Sequence, residues 1–162
     1  MPSFDEHIFQ AKENLIFLEE INKNQSHWDW QVTVCFYTSL HLINAHLSKY
    51  DYHFEKHKKV LNLINPFQDS SVKQKLNQND FLAYRTLFGL SMRARYLCNH
   101  KEKDDSNKAC YTNEIHFNKA IKHLDTIMKF SENELKVEFP NKYRIESSGL
   151  NYQILVHFTK TE

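Results

Sequence analysis

Glycine and proline are scarce in this sequence, with 2 and 3 residues among 162. A β-sandwich or β-barrel needs turn residues about every 8–12 positions, so this scarcity argues against a many-stranded β fold. The 3 cysteines are odd in number and widely spaced, which is typical neither of a disulfide framework nor of a zinc knuckle. No apolar run approaches the roughly 18 residues of a membrane span, and the N-terminus lacks a signal-peptide pattern. We therefore expect a soluble, cytoplasmic chain with no membrane partner.

Helical periodicity dominates the first 136 residues. Apolar side chains recur every three or four positions in residues 4–22, which predicts an amphipathic helix. Residues 30–49 and 81–98 are apolar nearly all round and predict two central, buried helices. The sequence also predicts a short helix that ends near residue 64, another over residues 69–76 and a last helix over residues 113–136. Together these segments predict a mainly all-α bundle of about five to six helices.

The C-terminal tail has a different pattern. Residues 143–146 and 152–158 alternate and are rich in β-branched and aromatic side chains, and Ser147, Ser148 and Gly149 stand between them. This pattern predicts a small β-hairpin. A lone hairpin is only marginally stable. We therefore expect a helical bundle over residues 1–138 and a hairpin extension over residues 139–162 that packs on it.

Positive charge is concentrated in the middle of the chain. Residues 49–101 contain 10 basic and 4 acidic side chains, although the whole chain has a net charge of +1. Three of the four arginines, Arg85, Arg93 and Arg95, lie in this third of the sequence. Such a local field attracts anionic partners such as RNA or nucleotide phosphate. The alternative is that lysine-rich loops simply keep this surface in water.

An arginine–histidine pair is the strongest candidate for chemistry. His100 follows Arg95 after four residues and Arg93 after six. On a continuous helix a seven-residue step places Arg93 and His100 on one face, whereas Arg95 reaches His100 only if the helix ends between them. Histidine can accept or donate a proton at neutral pH, and a guanidinium binds a phosphate through two hydrogen bonds. Together they suit metal-free cleavage of RNA by its own 2′-hydroxyl, although both arginines also fit salt bridges to neighbouring helices.

Three further sequence motifs accompany this pair. They are Asp29-Trp30 through Phe36-Tyr37 to His41 and Ala45; His53 with His57-Lys58-Lys59; and Tyr84-x-x-Leu87 leading to Ser91-x-x-Ala94-Arg95-Tyr96. With these motifs the sequence resembles the HEPN superfamily of small helical bundles over roughly residues 8–130. Active members often carry a small polar residue directly after the arginine, where this chain has Tyr96.

The HEPN resemblance implies several further expectations. The fold would be a helical bundle that forms a homodimer, and many relatives are metal-independent ribonucleases with no cofactor. The catalytic residues would be Arg95 or Arg93 as the phosphate clamp and His100 as general acid or base. Independently of the resemblance, the charges of His57, Lys58 and Lys59 fit an anion-binding rim, so that together with Arg93 they are expected to contribute to phosphate binding.

Two other function classes fit the same sequence. The surplus of apolar surface on the central helices and the hairpin edge fit a non-catalytic, antitoxin-like module that binds a protein partner. His53 and His57 have i, i+4 spacing and, with His41 on a central helix, would provide three ligands for a metal ion. A hydrogen-bonded core role for His41 fits its apolar helix better, so we assign no metal ligand.

Overall fold

The computed structural model describes residues 2–53, 56–68, 74–97 and 109–161. Five helices lie in these ranges: α1 (Phe4–Asn22), α2 (Trp28–Ser48), α3 (His57–Leu63), α4 (Gln78–Tyr96) and α5 (Glu114–Leu135). The predicted mainly helical bundle is therefore confirmed. The predicted helix over residues 69–76 falls largely outside the described residues. None of the helices described is long and apolar enough to cross a lipid bilayer.

Helix α2 is the centre of the bundle. It contacts α1 on one side and α4 and α5 on the others, and α4 also packs on α5. This central position explains why α2 is apolar nearly all round. Two side chains on α2, Tyr37 and His41, are only half-buried, and their spacing of four residues places them on one face. That face holds the polar groups described below.

Helix α4 ends just after Arg95. Leu97 adopts a left-handed conformation with φ of 54°, and its N–H donates to the Arg93 carbonyl at 2.9 Å, which closes the helix. The Leu97 carbonyl in turn accepts from the N–H of Cys110 at 2.8 Å. The helix therefore does end between Arg95 and His100, although His100 itself lies outside the described residues.

The C-terminal strands pair differently from the prediction. Strand β1 (Tyr143–Arg144) and strand β2 (Phe158–Thr159) are parallel, so the predicted antiparallel hairpin is wrong. The physical reason lies in helix α5, where the Asp125 carboxylate accepts from the backbone N–H groups of Val156 and His157 at 3.1 and 2.9 Å. Those amides are no longer available for a hairpin ladder. The tail still packs on the helices, because Ile145 and Phe158 are fully buried.

Candidate phosphate-binding site

Arg95, in the last turn of α4, lies on an aromatic platform beside α2. Its guanidinium carbon is 5.7 Å from the ring centres of both Phe36 and Tyr37. Nε donates to the Ser91 carbonyl at 3.3 Å, Nη2 to the Ser91 hydroxyl at 3.2 Å, and Nη1 to the Tyr37 hydroxyl at 3.4 Å. These contacts fix the plane of a half-buried guanidinium.

His57, the first residue of α3, completes this cluster. Its ring centre lies 5.3 Å from that of Phe36 and 6.2 Å from that of Tyr37, the same two rings that support Arg95. Burial and then the charge of Arg95 lower the pKa of His57. His57 is therefore mainly neutral at pH 7, which is the form of imidazole that accepts a proton.

The described residues around Arg95 leave its charge without an ion pair. Within the part of the chain that the structure describes, no carboxylate forms an ion pair with Arg95, and its polar partners are a carbonyl, two hydroxyls and a thioether. A half-buried cation is less screened than one in bulk water. The cluster of Arg95, Tyr37, Ser91 and His57, hereafter the Arg95 cluster, is thus suited to an anionic group.

Arg93 does not belong to this cluster. Two residues along a helix correspond to a rotation of about 200°, so Arg93 and Arg95 leave opposite sides of α4. Arg93 Nε donates to the carbonyl of Tyr111 at 3.0 Å and lines a groove toward α5. Lys58 and Lys59 are exposed on α3, directly after His57. Of the expected site residues that the structure describes, Arg95 and His57 come together, while Arg93, Lys58 and Lys59 lie elsewhere; His100 is outside the described residues.

A second cluster on the same side of α2 consists of three histidines. His7 Nδ1 lies 3.1 Å from His41 Nδ1, and the His7 ring is 5.9 Å from the stacked ring of His53. His53 precedes α3, so His53 and His57 do not share the helix face that the metal hypothesis needs. In the described ranges, no group of three or more His, Cys, Asp or Glu side chains is arranged to hold a metal ion.

The histidine cluster predicts an acid-sensitive fold. Burial, followed by the charges of His41 and His53, lowers the pKa of His7 to about 4. Between pH 6.5 and 4 the unfolded chain therefore binds a proton at this residue that the folded chain does not bind. The free energy of unfolding contributed by His7 is fully present above pH 6.5 and is lost as the pH falls to 4, a decrease of about 2–3 kcal/mol.

Urea unfolding at pH 7, 5.5 and 4.5 measures this loss. The His7→Gln variant, which has no titrating ring, should show a shallower decrease in stability over the same range. Equal pH dependence of the two proteins would show that His7 does not cause it.

Sequence reasoning missed His7 and the meeting of His57 with Arg95. The position of His7 carried a signal, because it is four residues before Ala11 on the buried face of α1. No local pattern predicts the second pair, since 37 residues lie between His57 and Arg95 and both meet at the rings of Phe36 and Tyr37 on α2. Comparisons with protein families, with curated proteins and with solved structures found no match to the chain.

Proposed function

We propose that this protein binds RNA through a phosphate held by Arg95 and cleaves it without a metal ion. The observation that carries the proposal is the Arg95 guanidinium itself, oriented by Ser91 and Tyr37, with no carboxylate partner among the described residues and with a neutral imidazole beside it. The earlier resemblance to HEPN proteins adds to this reasoning.

The chemistry requires one cation and a proton carrier. A base takes the proton of the ribose 2′-hydroxyl, and the 2′-oxygen attacks the adjacent phosphorus. The bond from phosphorus to the 5′-oxygen breaks, and an acid protonates that oxygen, which leaves a 2′,3′-cyclic phosphate and a 5′-hydroxyl. Arg95 neutralises the charge that builds up on the phosphoryl oxygens in the transition state.

Two histidines are candidates for the proton transfers. His100 follows from the spacing to Arg95 in the sequence, and His57 follows from its position beside Arg95 in the fold. Both can be tested with the same substrate. We expect single-stranded RNA to be cleaved in the presence of EDTA, with the cyclic phosphate detected by mass spectrometry.

Alanine variants of His57 and His100 should separate the two roles. Loss of a general acid or base reduces the rate about 10²–10⁴-fold while leaving RNA binding nearly unchanged. His27→Asn is the matched control, because His27 is exposed and has the left-handed backbone that asparagine tolerates. The proposal of cleavage fails if neither alanine variant slows the reaction.

If the protein neither binds nor cleaves RNA, the protein-interaction alternative replaces this proposal. Its surface would be the outward face of α1, where Phe9, Ile16 and Phe17 are exposed.

A further inference from the structure

A groove separates α4 from α5 on the side of α4 opposite the Arg95 cluster. It encloses about 890 Å³ and is bordered by α3 at Leu61. Four nitrogen-bearing side chains line it, Arg85 and Arg93 from α4 and His116 and Lys119 from α5. The spacings of eight residues between the two arginines and three between the α5 residues place each pair on one helix face.

The floor of the groove is apolar and open. Leu82, Phe88 and Ile115 contribute to its lining, and Leu82 and Ile115 are exposed. Gly89 also lines the groove, and a Cβ atom on it would meet nothing within 4 Å beyond its chain neighbours and its own helix backbone. The groove therefore combines apolar surface with cations along its edges, which is the composition that single-stranded nucleic acid prefers.

Charge identifies the occupant that fits best. Among the residues that the structure describes, no carboxylate lines the groove. Glu114, which begins α5, instead accepts hydrogen bonds from Ser147 and from the Ser148 backbone at 2.6 and 2.8 Å. Burial, followed by the charges of Arg93 and Lys119, lowers the pKa of His116, so the cations of the groove at pH 7 are Arg85, Arg93 and Lys119. In a symmetric pair of chains joined through this surface, these three cations would lie against the cations of the other copy, which repel. A polyanion avoids that repulsion and places a negative phosphate beside each cation.

We propose that this groove is a second RNA-binding surface, which binds the backbone of a single-stranded RNA outside the Arg95 cluster. The inference rests on the proposed function for the choice of RNA and on the groove lining for its binding. The buried ring of Phe88 packs between the two sites, because it lines the groove and its ring centre lies 6.2 Å from that of His57. Tyr111 is 71% exposed next to Arg93 and offers a ring on which a base can stack.

Fluorescence anisotropy with a labelled 12-nucleotide RNA that carries 2′-O-methyl groups measures binding without cleavage. The double variant Arg85→Glu and Lys119→Glu should raise the Kd at least 10-fold. It should also lower the slope of log K against log salt by about 1.4, since each contact contributes about 0.7 for a single strand. The control is Lys23→Glu with Lys142→Glu, which makes the same change in net charge at two exposed positions.

Gly89 provides a test that leaves every basic residue in place. Gly89→Glu puts a carboxylate into the groove and should weaken RNA binding at least 10-fold. Gly89→Ala adds only a methyl group, should leave the Kd unchanged, and should raise the free energy of unfolding by about 0.5–1 kcal/mol because glycine weakens helices. Thermal unfolding of each variant checks that it is folded at the temperature at which its Kd is measured.

A short substrate separates this inference from the proposed function. Groove variants should cleave a dinucleotide at the normal rate, because a dinucleotide needs only the Arg95 cluster. If the Arg95→Ala variant cleaves normally while the groove variants bind RNA weakly, the groove stands and the proposed function fails. The groove inference is overturned if the Arg85/Lys119 variant binds RNA like its control, or if an acidic peptide displaces RNA at a lower concentration than unlabelled RNA does.

Discussion

Replacing Asp125 with alanine is expected to lower the free energy of unfolding by about 3–5 kcal/mol, because it removes one partner of a buried charged network. The side chain of Asp125 is 2% exposed, and its carboxylate lies 2.9 Å from His157 Nδ1 and 2.8 Å from Lys129 Nζ. It also accepts the backbone N–H groups of Val156 and His157. Without the carboxylate, these amides and the buried His157 ring lose their acceptor.

The pKa of Asp125 supports this expectation. Burial alone would raise it, but hydrogen bonds from His157, from Lys129 and from the two backbone amides lower it to about 2. The stability that Asp125 contributes is therefore present above pH 3.8 and lost as the pH falls toward 2, below the range in which His7 acts.

Urea unfolding at pH 7 measures the effect of Asp125→Ala, and limited proteolysis should show earlier cleavage in residues 145–157. Lys129→Ala is the matched control. The Lys129 side chain is 40% exposed, so its loss should cost less than about 1 kcal/mol. A loss below 1 kcal/mol in Asp125→Ala would mean that the carboxylate does not hold the tail to α5.

Replacing Arg95 with alanine is expected to weaken RNA binding about 10–100-fold and to slow cleavage about 10²–10³-fold. Binding weakens because charged hydrogen bonds to a phosphate are lost, and cleavage slows because a cation that stabilises the transition state is lost. The Arg95→Lys variant should bind and cleave RNA better than Arg95→Ala but less well than the unchanged protein, because an ammonium group keeps the charge but lacks the planar donors of a guanidinium.

Arg95 also packs on Phe36 and Tyr37, so its removal affects stability as well as binding. Contacts of this kind contribute about 0.5–1 kcal/mol, too little to unfold the protein. Binding is therefore measured at a temperature where thermal unfolding shows the variant to be folded. Arg144→Ala, at an exposed arginine on β1, is the control and should bind RNA normally. Normal binding by Arg95→Ala would remove the proposed phosphate clamp.

Helices were predictable from the sequence because their signals are local. The spacing of apolar residues gave the bounds of α1 and came within a few residues for α2, α4 and α5. The parallel strands were not predictable, because their pairing depends on a carboxylate from α5 that competes for the amides of Val156 and His157. The alternation of side chains in residues 143–158 predicts which segments suit a strand, but it does not predict a hydrogen-bond acceptor on a distant helix.

The candidate site was predictable only in part. Arg95 and His57 were both identified from residue type and motif, but as separate contributors. Their contact with the rings of Phe36 and Tyr37 on α2 joins residues far apart in the sequence, which no local pattern encodes. The sequence left either Arg93 or Arg95 as the phosphate clamp, and the structure places them on opposite sides of α4, with Arg95 beside His57.

The most direct test of the account is NMR observation of the arginine Nε–H groups during titration with the 2′-O-methyl RNA. The chain has only four arginines, so single variants assign all four signals. The account predicts that the Arg95 signal shifts and saturates with the binding curve, followed by those of Arg85 and Arg93, while that of Arg144 stays in place. An Arg95 signal that does not move while RNA binds would contradict it.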